Sequence, residues 1–134
     1  MRIILSLAII AASTVPSLAL PICSGGHRAD RKVTCIVDGD TGWENGVKWR
    51  LKDIDAPEIS HPECKSERRD GIAARDRVAA LLGDGNYRLE AHGTGYYGRE
   101  LVKITLSNGQ DLGQLLLREH LAQPWPNHAN PWCR

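Results

Sequence analysis

The sequence has no excess of charge of either sign, with 17 Lys and Arg against 16 Asp and Glu in 134 residues. Arg2 is the one charged residue before Leu20, so the remainder of the chain is neutral with its histidines uncharged. A balanced chain has no general attraction for polyanions, and any affinity for nucleic acid must come from a local patch. No Cys-x-x-Cys pair occurs, which argues against structural zinc even though His61 stands near Cys64. Internal repeats and long linkers are also missing, and the length suits a single domain.

What the chain does have begins with its leader. Arg2 precedes an apolar run from Ile3 to Ala12, followed by Pro16 and the small-x-small exit Ser17-Leu18-Ala19. That is the pattern of a secretory signal peptide. Residues 1–19 are therefore read as a signal peptide and residues 20–134 as the domain. The competing reading is an uncleaved anchor from Ile3 to Leu20, which could just span a bilayer. A lipoprotein is disfavoured because Ile22, rather than a small residue, precedes Cys23. Export suits the four cysteines, Cys23, Cys35, Cys64 and Cys133, an even set that favours two disulfides. Three pairings are possible. The preferred one joins Cys23 to Cys35 at the start of the domain and Cys64 to Cys133 across the tail.

Residues 32–38 read as a strand, interrupted by Asp38-Gly39-Asp40-Thr41-Gly42. A second strand over 46–53 alternates, with Val47, Trp49 and Leu51 on one face and Lys48, Arg50 and Lys52 on the other. A helix is expected from Glu67 to Leu82, ended by Gly83-Asp84-Gly85. Strands follow over 86–91 and 97–106, with a turn at Asn108-Gly109. Asp111-Leu112-Gly113-Gln114 opens a short helix, which Pro124 and Pro126 are expected to stop. Consecutive strands without crossover helices fit a small barrel rather than a doubly wound sheet.

The chemistry gathers at strand ends. Asp38 and Asp40 follow the first strand; Asp53, Asp55 and Glu58 follow the second, which carries Arg50. Asp40, Asp55 and the main chain at Ala56 offer oxygen ligands suited to a hard divalent cation. Arg50 and Arg99 can neutralise the charge that grows on phosphate oxygens during phosphodiester cleavage. Glu58 can activate or orient a water. Each has a plainer role available: the aspartates as turn formers, the arginines as ion-pair partners, Glu58 as a surface acid. The charged run from Lys65 to Arg77 is mixed in sign and reads as a solvated helix face.

Four ordered blocks, Val37-Asp38-Gly39-Asp40-Thr41, Trp49-Arg50-Leu51, Ile54-Asp55-Ala56-Pro57-Glu58 and Tyr97-Gly98-Arg99-Glu100-Leu101, resemble those of the thermonuclease (staphylococcal nuclease-like) family. Leu116 to Ala122 resembles its later helix, and the likeness covers about residues 32–125. The resemblance implies an α+β domain, mainly β: a five-stranded OB-fold barrel with two packed helices. It implies calcium-dependent endonuclease action on DNA and RNA, leaving 3′-phosphate ends. Position by position, Arg50, Glu58 and Arg99 match the catalytic trio. Asp40 and Asp55 match the calcium-ligating side chains, and Ala56 takes a position that contributes its backbone carbonyl. Tyr96 stands where some members have a phosphate-contacting lysine, and Tyr96 and Tyr97 are candidate substrate contacts. Two base-binding tyrosines are not matched, leaving Trp125 or Trp132 to stack in their place.

The resulting expectation is an exported enzyme, periplasmic or secreted, acting as a monomer on nucleic acid, single-stranded favoured. It has no stable protein partner and no membrane contact after signal cleavage. The alternative is a catalytically silent OB-fold module that binds nucleic acid or a protein. The complete set of matched acids and arginines favours the enzyme.

Overall fold

The structure, a computed structural model, describes residues 9–13, 18–95 and 98–134. Tyr96, Tyr97 and most of the expected signal peptide lie outside these residues. Short β-rich stretches between turns form strands β1 (Cys35–Asp38), β2 (Thr41–Glu44), β3 (Val47–Leu51) and β4 (Ile54–Asp55). Helix α1 (Lys65–Leu81), strands β5 (Tyr87–Thr94) and β6 (Glu100–Leu106), helix α2 (Leu112–Arg118) and strand β7 (Gln123–Pro124) follow.

The main sheet has the order β1-β2-β3-β6-β5, in which β3 and β6 run parallel and the other neighbours antiparallel. Five strands in this order, with a parallel pair in the middle, are the OB arrangement expected for the chain. Among the described residues no ladder joins β5 to β1, so the sheet is open at that seam. A separate two-stranded ladder pairs β4 with β7 and brings the C-terminal tail beside Asp55.

Burial follows the two periods expected of strands and helices. Val102, Ile104 and Leu106 turn inward from β6, while Trp49 and Leu51 turn inward from β3. Val78, Ala79 and Leu82 of α1 and Leu112 and Leu116 of α2 cover them. Val47 departs from its expected face: at 49 % exposure it stands just past the Asn45-Gly46 turn, before the strand enters the core.

Three short strands were not anticipated. Strand β2 lies where glycines suggested a break, yet Gly42 is a strand residue for a packing reason. A Cβ there would strike the Trp49 ring and approach the Cys35 carbonyl to 2.9 Å. The missing side chain makes room for the buried indole. Strands β4 and β7 are two residues each, too short to carry a periodic signal. The second expected strand ends at Leu51, short of its expected bound at 53, because Asp53 adopts a left-handed φ of 65° before β4.

The helix ends also differ. Helix α1 starts at Lys65, where the Cys64 sulfur accepts from the Glu67 N–H at 3.4 Å. Helix α2 starts as expected, with the Asp111 carboxylate accepting from the Gln114 N–H at 2.8 Å. It stops before the prolines. His120 is left-handed at φ 58°, and the His120 and Leu121 N–H groups return to the Leu117 and Leu116 carbonyls. These bonds form a Schellman closure.

Both preferred disulfides are present. Cys23–Cys35 spans 12 positions and Cys64–Cys133 spans 69. The first fastens a lead-in segment already bonded to the core through Leu20 to Ala79 and Ile36 to Pro21. Loop closure makes the longer cross-link the stronger constraint on the unfolded chain. Replacing Cys64 and Cys133 together by serine is expected to lower unfolding free energy by about 2–5 kcal/mol. The matching change at Cys23 and Cys35 should cost roughly 1–2 kcal/mol less by loop closure alone. Urea titrations of both double variants check this, and the opposite order would show that loop length does not govern the effect.

Candidate active site

Asp40 follows β1 at the tight connection to β2 and is only 2 % exposed. A buried carboxylate needs donors, and it has several. Its Oδ1 accepts from the Thr41 hydroxyl at 2.9 Å, and its Oδ2 from the Ala56 N–H at 2.8 Å. Arg50 completes the set, with Nη1 2.5 Å from Asp40 Oδ2. Strand register makes this meeting unavoidable: Thr41 pairs with Arg50 across β2 and β3, and the Leu51 N–H reaches the Asp40 carbonyl at 2.8 Å.

The same guanidinium faces a second acid. Arg50 Nη2 donates to the Ile54 carbonyl at 3.3 Å and lies 3.7 Å from Asp55 Oδ1. The other oxygen of Asp55 is held from the opposite side, accepting from Gln123 at 3.3 Å and Asn127 at 3.1 Å. Arg50 also lies under the half-exposed ring of Trp125, with its guanidinium carbon 5.9 Å from the ring centroid. The main chain of Trp125 is fixed there by its backbone N–H, which donates to the Asp53 carbonyl at 3.0 Å.

Glu58 comes to the site on the loop after Pro57. Gly71 of α1 lets that loop approach, since a Cβ there would stand 2.8 Å from the Pro57 carbonyl and 3.2 Å from that of Glu58. The Glu58 N–H donates to Glu67 Oε2 at 3.3 Å. Asp55, Ala56, Glu58, Glu63 and Glu67 then form one wall of a cleft of about 400 Å³, and tail residues including Asn127, Asn130 and Trp132 form the other.

So many acids around one guanidinium leave a mark on their titration. Burial, reinforced by the Asp40 charge, pushes Asp38 up to about 8. Burial also raises Glu58, with Asp40, Asp55 and Glu67 adding to it and Arg50 opposing. Burial works against ionisation of Asp40 too, but Arg50 and the hydrogen bonds to Asp40 outweigh it and hold its pKa below the usual range. The pocket is thus richer in negative charge than Arg50 alone can neutralise.

The structure brings together Asp40, Arg50, Asp55, Ala56 and Glu58. Arg99 is placed by the backbone, immediately before β6, where Glu100 pairs with Trp49 and Leu101 with Arg50. Tyr96 and Tyr97 lie outside the described residues. Asp53 is an exposed turn residue beside Lys52. Trp132, 7 % exposed, is part of the packed tail and has no face for a base, so Trp125 alone of the two suits stacking.

Glu67 departs from the solvated face expected of α1 and is 4 % exposed. Its spacing to Gly71, Ala74 and Val78 is the helical repeat of the buried stripe, and this was the available signal. The tail amides Gln123, Asn127 and Asn130 carry no comparable periodic signal.

Among the described residues no group of three or more His, Cys, Asp and Glu side chains could hold a metal ion. The donor atoms still fit a hard cation in kind, being the carboxylates of Asp40 and Asp55 and the backbone carbonyl of Ala56, although Arg50 is the positive group that faces both carboxylates here.

The five-stranded sheet thus carries an acid–arginine cluster at the ends of its strands. The family model for staphylococcal nuclease homologues matches residues 48–130, more than half of the chain, and the chain belongs to that family. The match begins after Asp40, whose place in the cluster therefore rests on geometry. No curated protein matches the chain. Among the described residues no helix is long and apolar enough to cross a membrane.

Removing Arg50 isolates the buried Asp40 charge. Arg50→Ala is expected to lower stability near neutral pH by about 3–5 kcal/mol. The sign follows from the pKa of Asp40. In the parent, the folded value is depressed, so the stabilisation is present above the unfolded value of about 3.9 and is lost as pH falls below it. In the variant, burial is opposed only by the remaining hydrogen bonds to Asp40, and the folded value rises. The penalty is then present at neutral pH and is relieved on acidification. Urea titrations should show the gap closing between about pH 7 and pH 4; a pH-independent gap would mean that Asp40 is not its source.

Proposed function

We propose that the protein is an exported, calcium-dependent endonuclease of the staphylococcal nuclease type. It hydrolyses phosphodiester bonds of DNA and RNA to leave 3′-phosphate ends and prefers single strands. The observation that carries this reading is the Arg50 guanidinium, bracketed by Asp40 and Asp55 beside the Glu58 loop.

In this reading Glu58 accepts a proton from the attacking water as the water oxygen bonds to phosphorus, and the bond to the 5′-oxygen breaks, that oxygen taking a proton from solvent to leave as a 5′-hydroxyl. The raised pKa of Glu58 suits a general base, because a more basic carboxylate takes the proton more readily. Arg50 and Arg99 neutralise the charge gathering on the equatorial oxygens. Asp40, Asp55 and the Ala56 carbonyl would hold calcium, which supplies positive charge to the phosphate when bound. Trp125 offers a base a stacking surface next to Arg50. Tyr96 and Tyr97 are assigned to substrate contact from the family blocks.

Residues 1–19 are proposed to direct export and to be removed, giving a periplasmic or secreted monomer of residues 20–134. Two disulfides are compatible with such a destination.

The test is incubation of the purified protein with denatured DNA, with calcium or with chelator. Cleavage is expected with calcium and should stop when it is chelated. Glu58→Gln should slow it by about 10²–10⁴-fold. Arg50→Ala or Arg99→Ala should each slow it by about 10²–10³-fold. Cleavage that persists in chelator, or in Glu58→Gln combined with Arg99→Ala, removes this mechanism. Binding without cleavage at every calcium concentration would instead favour an OB-fold binding module.

A further inference from the structure

We propose that the C-terminal tail, residues 123–134, is the positioning element of the active site, with separate arms for the cation ligand and for the general base. The inference rests on the nuclease reading above and adds to it a role for residues outside the acid–arginine cluster.

The first arm acts on Asp55. Register across β4 and β7 places Gln123 opposite Asp55, and the Gln123 and Asn127 amides both donate to Asp55 Oδ2. A carboxylate oxygen only accepts, so the amide NH2 groups must be the parts turned toward it. With Oδ2 committed to the tail, Oδ1 is the oxygen turned toward Arg50. The amides are themselves tied back, Gln123 to the Ala129 carbonyl at 3.0 Å and Asn127 to that of Pro124 at 3.1 Å. Side-chain donors that orient a ligand in this way fix its rotamer before the cation arrives.

The second arm acts on Glu58 through Glu67. Asn130 donates to Glu67 Oε1 at 3.1 Å, an oxygen that also accepts from the Glu63 N–H at 2.7 Å. The other oxygen of Glu67 holds the Glu58 N–H. Asn130 is therefore connected to the main chain of the general base through one buried carboxylate.

The tail can do this because it is anchored beyond both arms. Cys133 is bonded to Cys64, the Ser66 hydroxyl donates to the Trp132 carbonyl at 2.6 Å, and Arg134 reaches Asp70 at 3.2 Å. All three anchors lie on the start of α1, the same turns that carry Glu67. The tail thus runs along the cleft from β4 to α1, facing the acids that both elements contribute to the other wall.

Two single substitutions separate the arms, and calcium binding gives a readout independent of cleavage. Asn127→Ala should weaken calcium binding, measured by calorimetry with calcium chloride, by about 10–100-fold. Its cleavage defect should diminish as calcium is raised. Asn130→Ala should bind calcium within about twofold of the parent, yet lose about tenfold or more in kcat, a loss that added calcium does not restore. The double change Cys64→Ser and Cys133→Ser, with Cys23–Cys35 intact, should show both defects. Circular dichroism and urea midpoints establish that the single variants remain folded. Calcium binding by Asn127→Ala equal to that of the parent overturns the first arm, and calcium rescue of Asn130→Ala overturns the second. If the parent itself neither binds calcium nor cleaves, the nuclease reading fails and this inference with it. A parent that does both, with unaffected variants, overturns this inference alone.

Discussion

A carboxylate taken out of water must be given a cation or lose its charge, and Asp40 is given Arg50. Much of the local architecture serves that pairing. The tight connection between β1 and β2 delivers Asp40, the β2–β3 register sets Arg50 alongside, and the turn at Asp53 swings Ala56 back to donate to the same carboxylate. Each of these elements is short and has little burial to hold it alone. The buried ion pair with its supporting hydrogen bonds ties them into one rim. Trp49, beside Arg50 in sequence but on the opposite face, anchors that rim to the core.

The pairing is balanced for one acid, and the site holds several. The surplus appears as raised titration at Asp38 and Glu58, both driven first by burial and then by neighbouring carboxylates. An anionic substrate gains nothing from such a pocket unless further positive charge arrives. That is the physical argument for a cation in the proposed reaction, and it is local. A chain neutral beyond Leu20 supplies no long-range field to draw a polyanion in. In the proposed reaction, attraction would therefore be generated within the cleft, by the cation and the two arginines acting at short range.

Strong periodicity and chemistry concentrated in a short stretch were legible in the sequence. Strand β6, with Val102, Ile104 and Leu106 facing inward, and the buried stripe of α1 repeat often enough to announce themselves. The acids flanking Arg50 were legible because they crowd into the twenty or so residues where strands end. What was not legible depended on distant partners. Gly42 signals a break until Trp49 is known to fill the space above it. Strand β7 exists only because β4 is there to pair with it. Glu67 looked like solvent charge because its three donors come from the loop before α1 and from the far end of the chain. Helix α2 ends through backbone geometry at His120, a residue type with no strong stop signal, before the prolines can act.

The cross-links show the same dependence on long-range contact. Each disulfide has one end close to a site carboxylate in sequence: Cys35 lies five residues before Asp40, and Cys64 lies three before Glu67. The other ends fasten the two segments with the least secondary structure, the lead-in before β1 and the tail after β7. Among the described residues neither segment has a helix or a long strand to hold it in place. A small domain has limited core with which to restrain such segments, and covalent closure supplies what packing cannot. The consequence is selective. Core elements such as β6 and α2 carry no cysteine and owe their positions to burial. The tail wall of the cleft, by contrast, is fastened through Cys64–Cys133 to the turns of α1 that carry Glu67, so its position depends on a covalent bond rather than on packing alone.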